Sequence, residues 1–357
     1  MISLYKPYMP DTLPELNAIL HSGALAYGKW GRQFEADLGR YLETDKIITV
    51  NSYNAAMQVA LTVIGIGPGD EVIVSPMSCL ASNQPLVTQG ATVVWADIDP
   101  ATGTLNPESV KSKITSKTKA ILHNHHCGYA GYIDEVNEIG RSMGVKVIDD
   151  AIEAFGTEYK GQKIGSLSTD ITVFSFQTVR LPNTIDGGAL KFNDEVLLNR
   201  AILTRDLGVD RSRFRDSKGE ISKTCDIELP GFGVTMSEIN SYIGFEQLKD
   251  LPKLIDRQQI NGTRWAEKIL KEVDGCSLVG TAINQRPNYW VFGLLSDRKN
   301  TLMSELRAMG YYASGVHLPN NFYSVFGDRS ELPGVKDFYS KFLALPSGWW
   351  TNITGDD

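Results

Sequence analysis

Long hydrophobic runs are missing: nothing in the chain approaches the roughly 20 consecutive apolar residues that span a bilayer. The opening Met1-Ile2-Ser3-Leu4-Tyr5-Lys6-Pro7 has neither the charged start nor the apolar stretch of a secretory leader. A cytoplasmic location without membrane contact is therefore expected. Positive charge is also in short supply. Lys+Arg number 35 against 42 Asp+Glu, for a formal net charge of -7, the wrong sign for holding nucleic acid by phosphate neutralisation. The four cysteines, Cys79, Cys127, Cys225 and Cys276, are far apart and form no C-x-x-C pair, so neither a zinc knuckle nor a disulfide framework is indicated. Internal repeats, low-complexity tracts and Gly/Ser linkers are absent, which leaves closely packed globular domains.

What is present suits two such domains: 357 residues, 42% hydrophobic and 22% charged. Between residues 46 and 192, β-branched runs alternate with helical patterns, the sign of a mostly parallel sheet covered by helices. The strand candidates are Lys46-Val50, Glu71-Ser75, Thr92-Ala96, Ala120-Asn124, Lys146-Asp149, Ile171-Phe176 and Ala189-Phe192. Ala55-Ile64 and Ile133-Met143 read as helices that stop at Gly65 and Gly144. A long helical stretch, Ser237-Ile269, is expected to bridge to a smaller α+β unit with a strand near Tyr289-Leu295 and a helix near Asn300-Met309. The expected division is a large α/β domain over 1–249 and a small C-terminal domain over 250–357.

In an open parallel sheet, ligands bind beyond the carboxyl ends of the strands, so the residues there are the first candidates. Asn51-Ser52-Tyr53-Asn54 precedes a helix whose free N–H groups suit a phosphate; plain N-capping by Ser52 or Asn54 is the alternative. Asp150 ends a strand where a buried carboxylate needs a cation, either a protonated heterocyclic nitrogen or an Arg. Ser175 and Arg180, around the next strand end, are both able to face an anion. His123, His125 and His126 look like a metal cluster. Alternation puts His123 and His125 on one strand face with no carboxylate at matching spacing, so no metal is expected. Gly65-Ile66-Gly67-Pro68-Gly69-Asp70 ends a helix and contains Pro68, so it reads as a turn and not as a dinucleotide loop.

These segments together resemble the DegT-type nucleotide-sugar aminotransferases, fold type I enzymes that use pyridoxal 5′-phosphate. The resemblance runs through Ser22-Gly23, Gly69-Asp70-Glu71-Val72-Ile73, Ala96-Asp97-Ile98-Asp99, Asp149-Asp150-Ala151, Phe174-Ser175-Phe176, Gly187-Gly188 and Met236-Ser237-Glu238-Ile239. It implies that Asp150 partners the pyridine nitrogen and that Glu153 lies at the phenolic oxygen. Ser52, Tyr53, Asn54 and Ser175 then fall around the phosphate, His125 near the ring, and Cys79 where an aromatic residue often stacks on the cofactor. A homodimer is implied as well, as is a nucleotide-linked keto sugar or other small anionic metabolite as ligand, in polysaccharide biosynthesis.

The departures from the family pattern carry the most weight. Five residues after the phosphate-contacting Ser, such enzymes have the lysine that forms the Schiff base; here that residue is Arg180. A guanidinium stays protonated and offers neither a nucleophilic lone pair nor a general base. Lys191, the next amine, falls in the following strand and is not expected to reach. The usual Ser-Gly-Thr reads Ser52-Tyr53-Asn54, and a partner-subunit Asn and nearby Arg correspond to Gly233 and Thr235. Pyridoxal or pyridoxamine phosphate is therefore expected to be held non-covalently at most. Two alternatives remain open. One is a cofactor-independent enzyme with Arg180 as a clamp and His125 or Glu153 as acid or base. The other is a non-catalytic partner subunit.

Overall fold

The computed structural model describes residues 1–281 and 284–353. Every β-branched run between 46 and 192 forms a strand: β1 Ile47–Val50, β2 Glu71–Val74, β3 Thr92–Trp95, β4 Thr118–Asn124, β5 Lys146–Ala151, β6 Ile171–Ser175 and β7 Gly188–Phe192. They pair in the order β1-β7-β6-β5-β4-β2-β3. Strands β2 to β6 are mutually parallel where they pair, whereas β7 runs antiparallel to both β6 and β1. Strands buried on both faces need apolar residues at nearly every position, which is why these runs are almost continuously hydrophobic.

Successive residues of β5 supply opposite sides of the core. Ile148 joins the cluster beneath the helices Tyr53–Val63, Leu80–Thr88 and Glu195–Thr204, while Val147 joins the one beneath Ile133–Met143. Ser52 is the N-cap of Tyr53–Val63, with its Oγ accepting from Ala55 N at 3.1 Å. Gly144, with φ +67°, closes Ile133–Met143 in the left-handed conformation that glycine adopts without strain.

The helix Glu238–Glu272 has 35 residues, about 50 Å at an α-helical rise. Leu251, Leu254 and Ile255 pack with Phe34, Leu38 and Leu42 of the helix Lys29–Leu42. Farther along, Trp265 and Ile269 pack with Phe292 and Leu294 of a second, antiparallel sheet: β8 Cys276–Leu278, β9 Phe292–Ser296 and β10 Phe342–Leu345. The expected 249/250 division falls inside this helix. The main core also runs without a break into the second sheet, since Val291 and Leu295 share a cluster with Ile148 and Val173. The first residues are tied to the C-terminal part. Ile2 N donates to Gly310 O at 2.6 Å, Tyr312 N to Ile2 O at 3.0 Å, and Trp350 Nε1 to Ser3 O at 3.1 Å.

Candidate active site

Alternation along β5 sends Asp149 and Asp150 to opposite faces. Asp150 stands in register with Val173, and Ser175 lies two residues farther along β6, so both point to the face covered by the helix Tyr53–Val63. Asp150 is 0% exposed. Its Oδ1 accepts from the Tyr53 hydroxyl at 2.6 Å and from Ile152 N at 3.2 Å, while Oδ2 has no partner. Burial raises its pKa, against the lowering effect of the polar groups of Ser82, Tyr53 and Ile152 around it. The Tyr53 hydroxyl also lies 3.3 Å from Ser82 Oγ, and burial pushes the phenol's pKa up too.

Beside Asp150 lies a second cluster, centred on Glu153. Glu153 Oε2 accepts from Cys127 N at 2.7 Å, and Oε1 lies 2.9 Å from His317 Nε2 and 3.6 Å from Arg180 Nη1. Burial alone would raise this carboxyl, but His317, Arg180 and His126 outweigh it and hold the pKa at about 2. The Arg180 guanidinium is 4.3 Å from the centre of the Trp290 ring, a cation–π contact, and its Nε and Nη1 make no hydrogen bond. Tyr5 stacks on the same Trp290 at 4.7 Å. Burial raises the Tyr5 phenol, and Cys127, Glu153, Arg180 and Cys79 all act on it electrostatically, so this N-terminal residue reaches into the centre of the group. Burial also lifts the Cys79 thiol to about 11 and lowers His126 to about 4.

The structure thus brings Tyr53, Cys79, Asp150, Glu153, Ser175 and Arg180 to one end of one sheet face. Arg180 pairs with Glu153 and not with Asp150. Ser175 Oγ is buried and accepts from Gln177 N at 3.3 Å. Ser52 caps its helix, as the plainer reading of that segment expects, and Asn54 is exposed.

His125, expected from the resemblance near the ring, makes its contacts away from Asp150. Its Nδ1 accepts from Gly131 N at 3.1 Å, and its Nε2 lies 3.4 Å from Asp149 Oδ1, on the other side of β5. His123 Nδ1 is 3.1 Å from the same oxygen. Burial opposes ionisation of Asp149, but His125 and His123 hold its carboxyl well below the usual range. The carboxylate that sequence spacing does not reveal comes from the neighbouring strand, so His123, His125 and Asp149 form a group with metal-ligand geometry. His126, Cys127 and Glu153 form a second such group, so the expectation of no metal did not foresee either arrangement.

Lys191 lies on the face opposite Asp150, in register with Thr172. Its Nζ donates to Leu167 O at 2.6 Å, and burial lowers its pKa to about 8. Tyr5, Trp290 and His317 escaped sequence reasoning because they come from segments far apart in the chain, outside the strand-end pattern, and Cys127, three residues beyond the end of β4, enters through its backbone N–H.

The chain belongs to the DegT/DnrJ/EryC1/StrS aminotransferase family, whose sequence profile matches residues 9–357. It is 27% identical to the spore coat polysaccharide biosynthesis protein SpsC of Bacillus subtilis, over 100% of this chain and 96% of that protein. It is 29% identical to a dTDP-3-amino-3,4,6-trideoxy-alpha-D-glucose transaminase of Streptomyces venezuelae, over 96% of this chain and 89% of the relative. Among solved structures, the sugar aminotransferase CalS13 from Micromonospora echinospora superposes with a TM-score of 0.92 at 26% identity, covering 99% of this chain and 96% of that one.

The family implies pyridoxal or pyridoxamine phosphate, and the side chains at this site do not fit it in the pose the resemblance implies. Asp150 has no exposed surface and its Oδ1 already accepts from Tyr53, so a ligand atom would reach the unpartnered Oδ2 only by displacing a neighbouring protein group. The amine of Lys191 is on the wrong face, and position 79 offers a thiol in place of a stacking ring.

Proposed function

We propose that this family member binds a nucleotide-linked keto sugar at the ends of β5 and β6 and does not carry out conventional transamination. Pyridoxal or pyridoxamine phosphate is held non-covalently at most. One observation carries this reading. The buried side chain at the Asp150–Ser175 end of the sheet is Arg180, a permanent cation paired with Glu153, and the neighbouring Lys191 amine lies behind the sheet. Relatives named for dTDP-sugar transamination support the ligand class, and SpsC supports a place in polysaccharide biosynthesis. A cytoplasmic location accords with the finding that no helix among the described residues is long and apolar enough to cross a membrane. A division into a large domain over 1–249 and a small one over 250–357 is part of the same reading, with Glu238–Glu272 shared between them.

The Glu153–His317 contact favours, as a second reading, a coenzyme-independent reaction. Arg180 would then clamp an anionic group and the imidazole would carry the proton, since a carboxyl held at about 2 is a weak base. A homodimer is the expected assembly.

The test is to incubate the purified full chain with pyridoxal 5′-phosphate, reduce with borohydride and map peptides by mass spectrometry, alongside titration with dTDP- and UDP-linked 4-keto sugars. No reducible adduct on any lysine, together with saturable sugar-nucleotide binding, is expected. A stoichiometric adduct on one lysine would overturn the reading.

A further inference from the structure

We infer that Tyr53 occupies the coenzyme's place at Asp150 and is the residue that excludes the coenzyme ring. A coenzyme bound in the family manner would bridge two anchors: the N-terminus of the helix Tyr53–Val63 for its phosphate, and Asp150 for its ring nitrogen. Tyr53 already spans that gap. Its backbone is the first residue of the helix, directly after the Ser52 cap, and its hydroxyl donates to Asp150 Oδ1 at 2.6 Å. The aromatic ring therefore lies between the anchors, and it is 0% exposed.

The hydroxyl's second contact, Ser82 Oγ at 3.3 Å, fixes the ring from the start of the next helix. Loss of the Schiff-base amine and closure of the ring site are then two separate barriers, at positions 180 and 53.

This inference rests on the reading of Arg180 only where the lysine variant is used, and its test is separable from that of the proposed function. Pyridoxamine 5′-phosphate, which cannot form a Schiff base with a lysine, is titrated against the full chain and against Tyr53→Phe, Tyr53→Ala and Tyr53→Gly by calorimetry. Near-UV circular dichroism and melting curves confirm that each variant is folded. The unaltered chain and Tyr53→Phe are expected to show no saturable binding, because both keep the ring. Tyr53→Ala or Tyr53→Gly is expected to bind at least about tenfold more tightly. In parallel, Arg180→Lys is treated with pyridoxal 5′-phosphate and borohydride. No adduct is expected on Lys at 180 while Tyr53 is present, and a stoichiometric adduct is expected in Tyr53→Gly/Arg180→Lys. The inference is overturned if the unaltered chain binds pyridoxamine phosphate as tightly as the small-residue variants, if those variants fold and gain no affinity, or if Arg180→Lys alone takes up the aldehyde. The first and third outcomes would leave the absence of a covalent tether in the unaltered chain standing.

Discussion

Glu153 is the residue on which the most charge converges, and its titration gives a direct check. Its pKa is depressed from 4.5 to about 2 in the folded chain, so the associated stability is fully present above pH 4.5 and is lost as pH falls through about 2. A shift of this size corresponds to about 3 kcal/mol. Glu153→Gln should flatten the acid limb of the stability profile over that window. At pH 7 it should lower the unfolding free energy by about 3 kcal/mol, since the buried Arg180 loses its carboxylate. Urea titrations at stepped pH measure both. His126 behaves in the opposite chemical sense. Burial lowers it from 6.5 to about 4, so the neutral imidazole is favoured in the fold and stability declines as pH falls from 6.5 toward 4. His126→Gln should remove that earlier decline. Asp150, Ser175 and Arg180 were legible in the sequence because each lies at or just beyond a strand end. His125 shares parity with His123, and that parity leads to Asp149, one residue away from Asp150 and across the sheet.

At the scale of elements, the strands between residues 46 and 192 were readable to within a residue or two because two-sided burial leaves an apolar signature. The direction of β7 was not, since its residues read the same whether it runs parallel or antiparallel. End-to-end support between helices was equally hidden. The helix Lys29–Leu42 begins at Gly28, which has no side chain to cap it, and Glu238 fills the role from the start of the long helix. Its carboxylate oxygens accept from Trp30 N and Gly31 N, each at 3.0 Å. A negative group at a helix N-terminus both satisfies free donors and meets the favourable end of the dipole. Glu238→Ala should therefore reduce stability by about 1–2 kcal/mol, with Glu238→Gln intermediate, as read from urea midpoints at an unchanged slope.

For the whole molecule, the N-terminal segment matters more than its length suggests. Ile2 and Ser3 are bonded to the C-terminal part, Lys6 lies over the Trp349 ring, and Tyr8 donates to Asp250 at 2.5 Å. Between these ties, Tyr5 stacks on Trp290, whose ring also meets the Arg180 guanidinium. No strand-end or helix-cap rule marks such a strap, so its position emerges only from the three-dimensional structure. Tyr5→Ala should remove the ring stacked on Trp290 and lower the unfolding free energy by about 1 kcal/mol, as read from urea midpoints; an unchanged midpoint would show that the stack does not hold the strap. During vectorial synthesis, Tyr5 leaves the ribosome while Trp290 and Trp350 are still unmade. Most of the chain must then collapse with this corner unfinished, and the closing of the strap belongs to the last, long-range step of maturation.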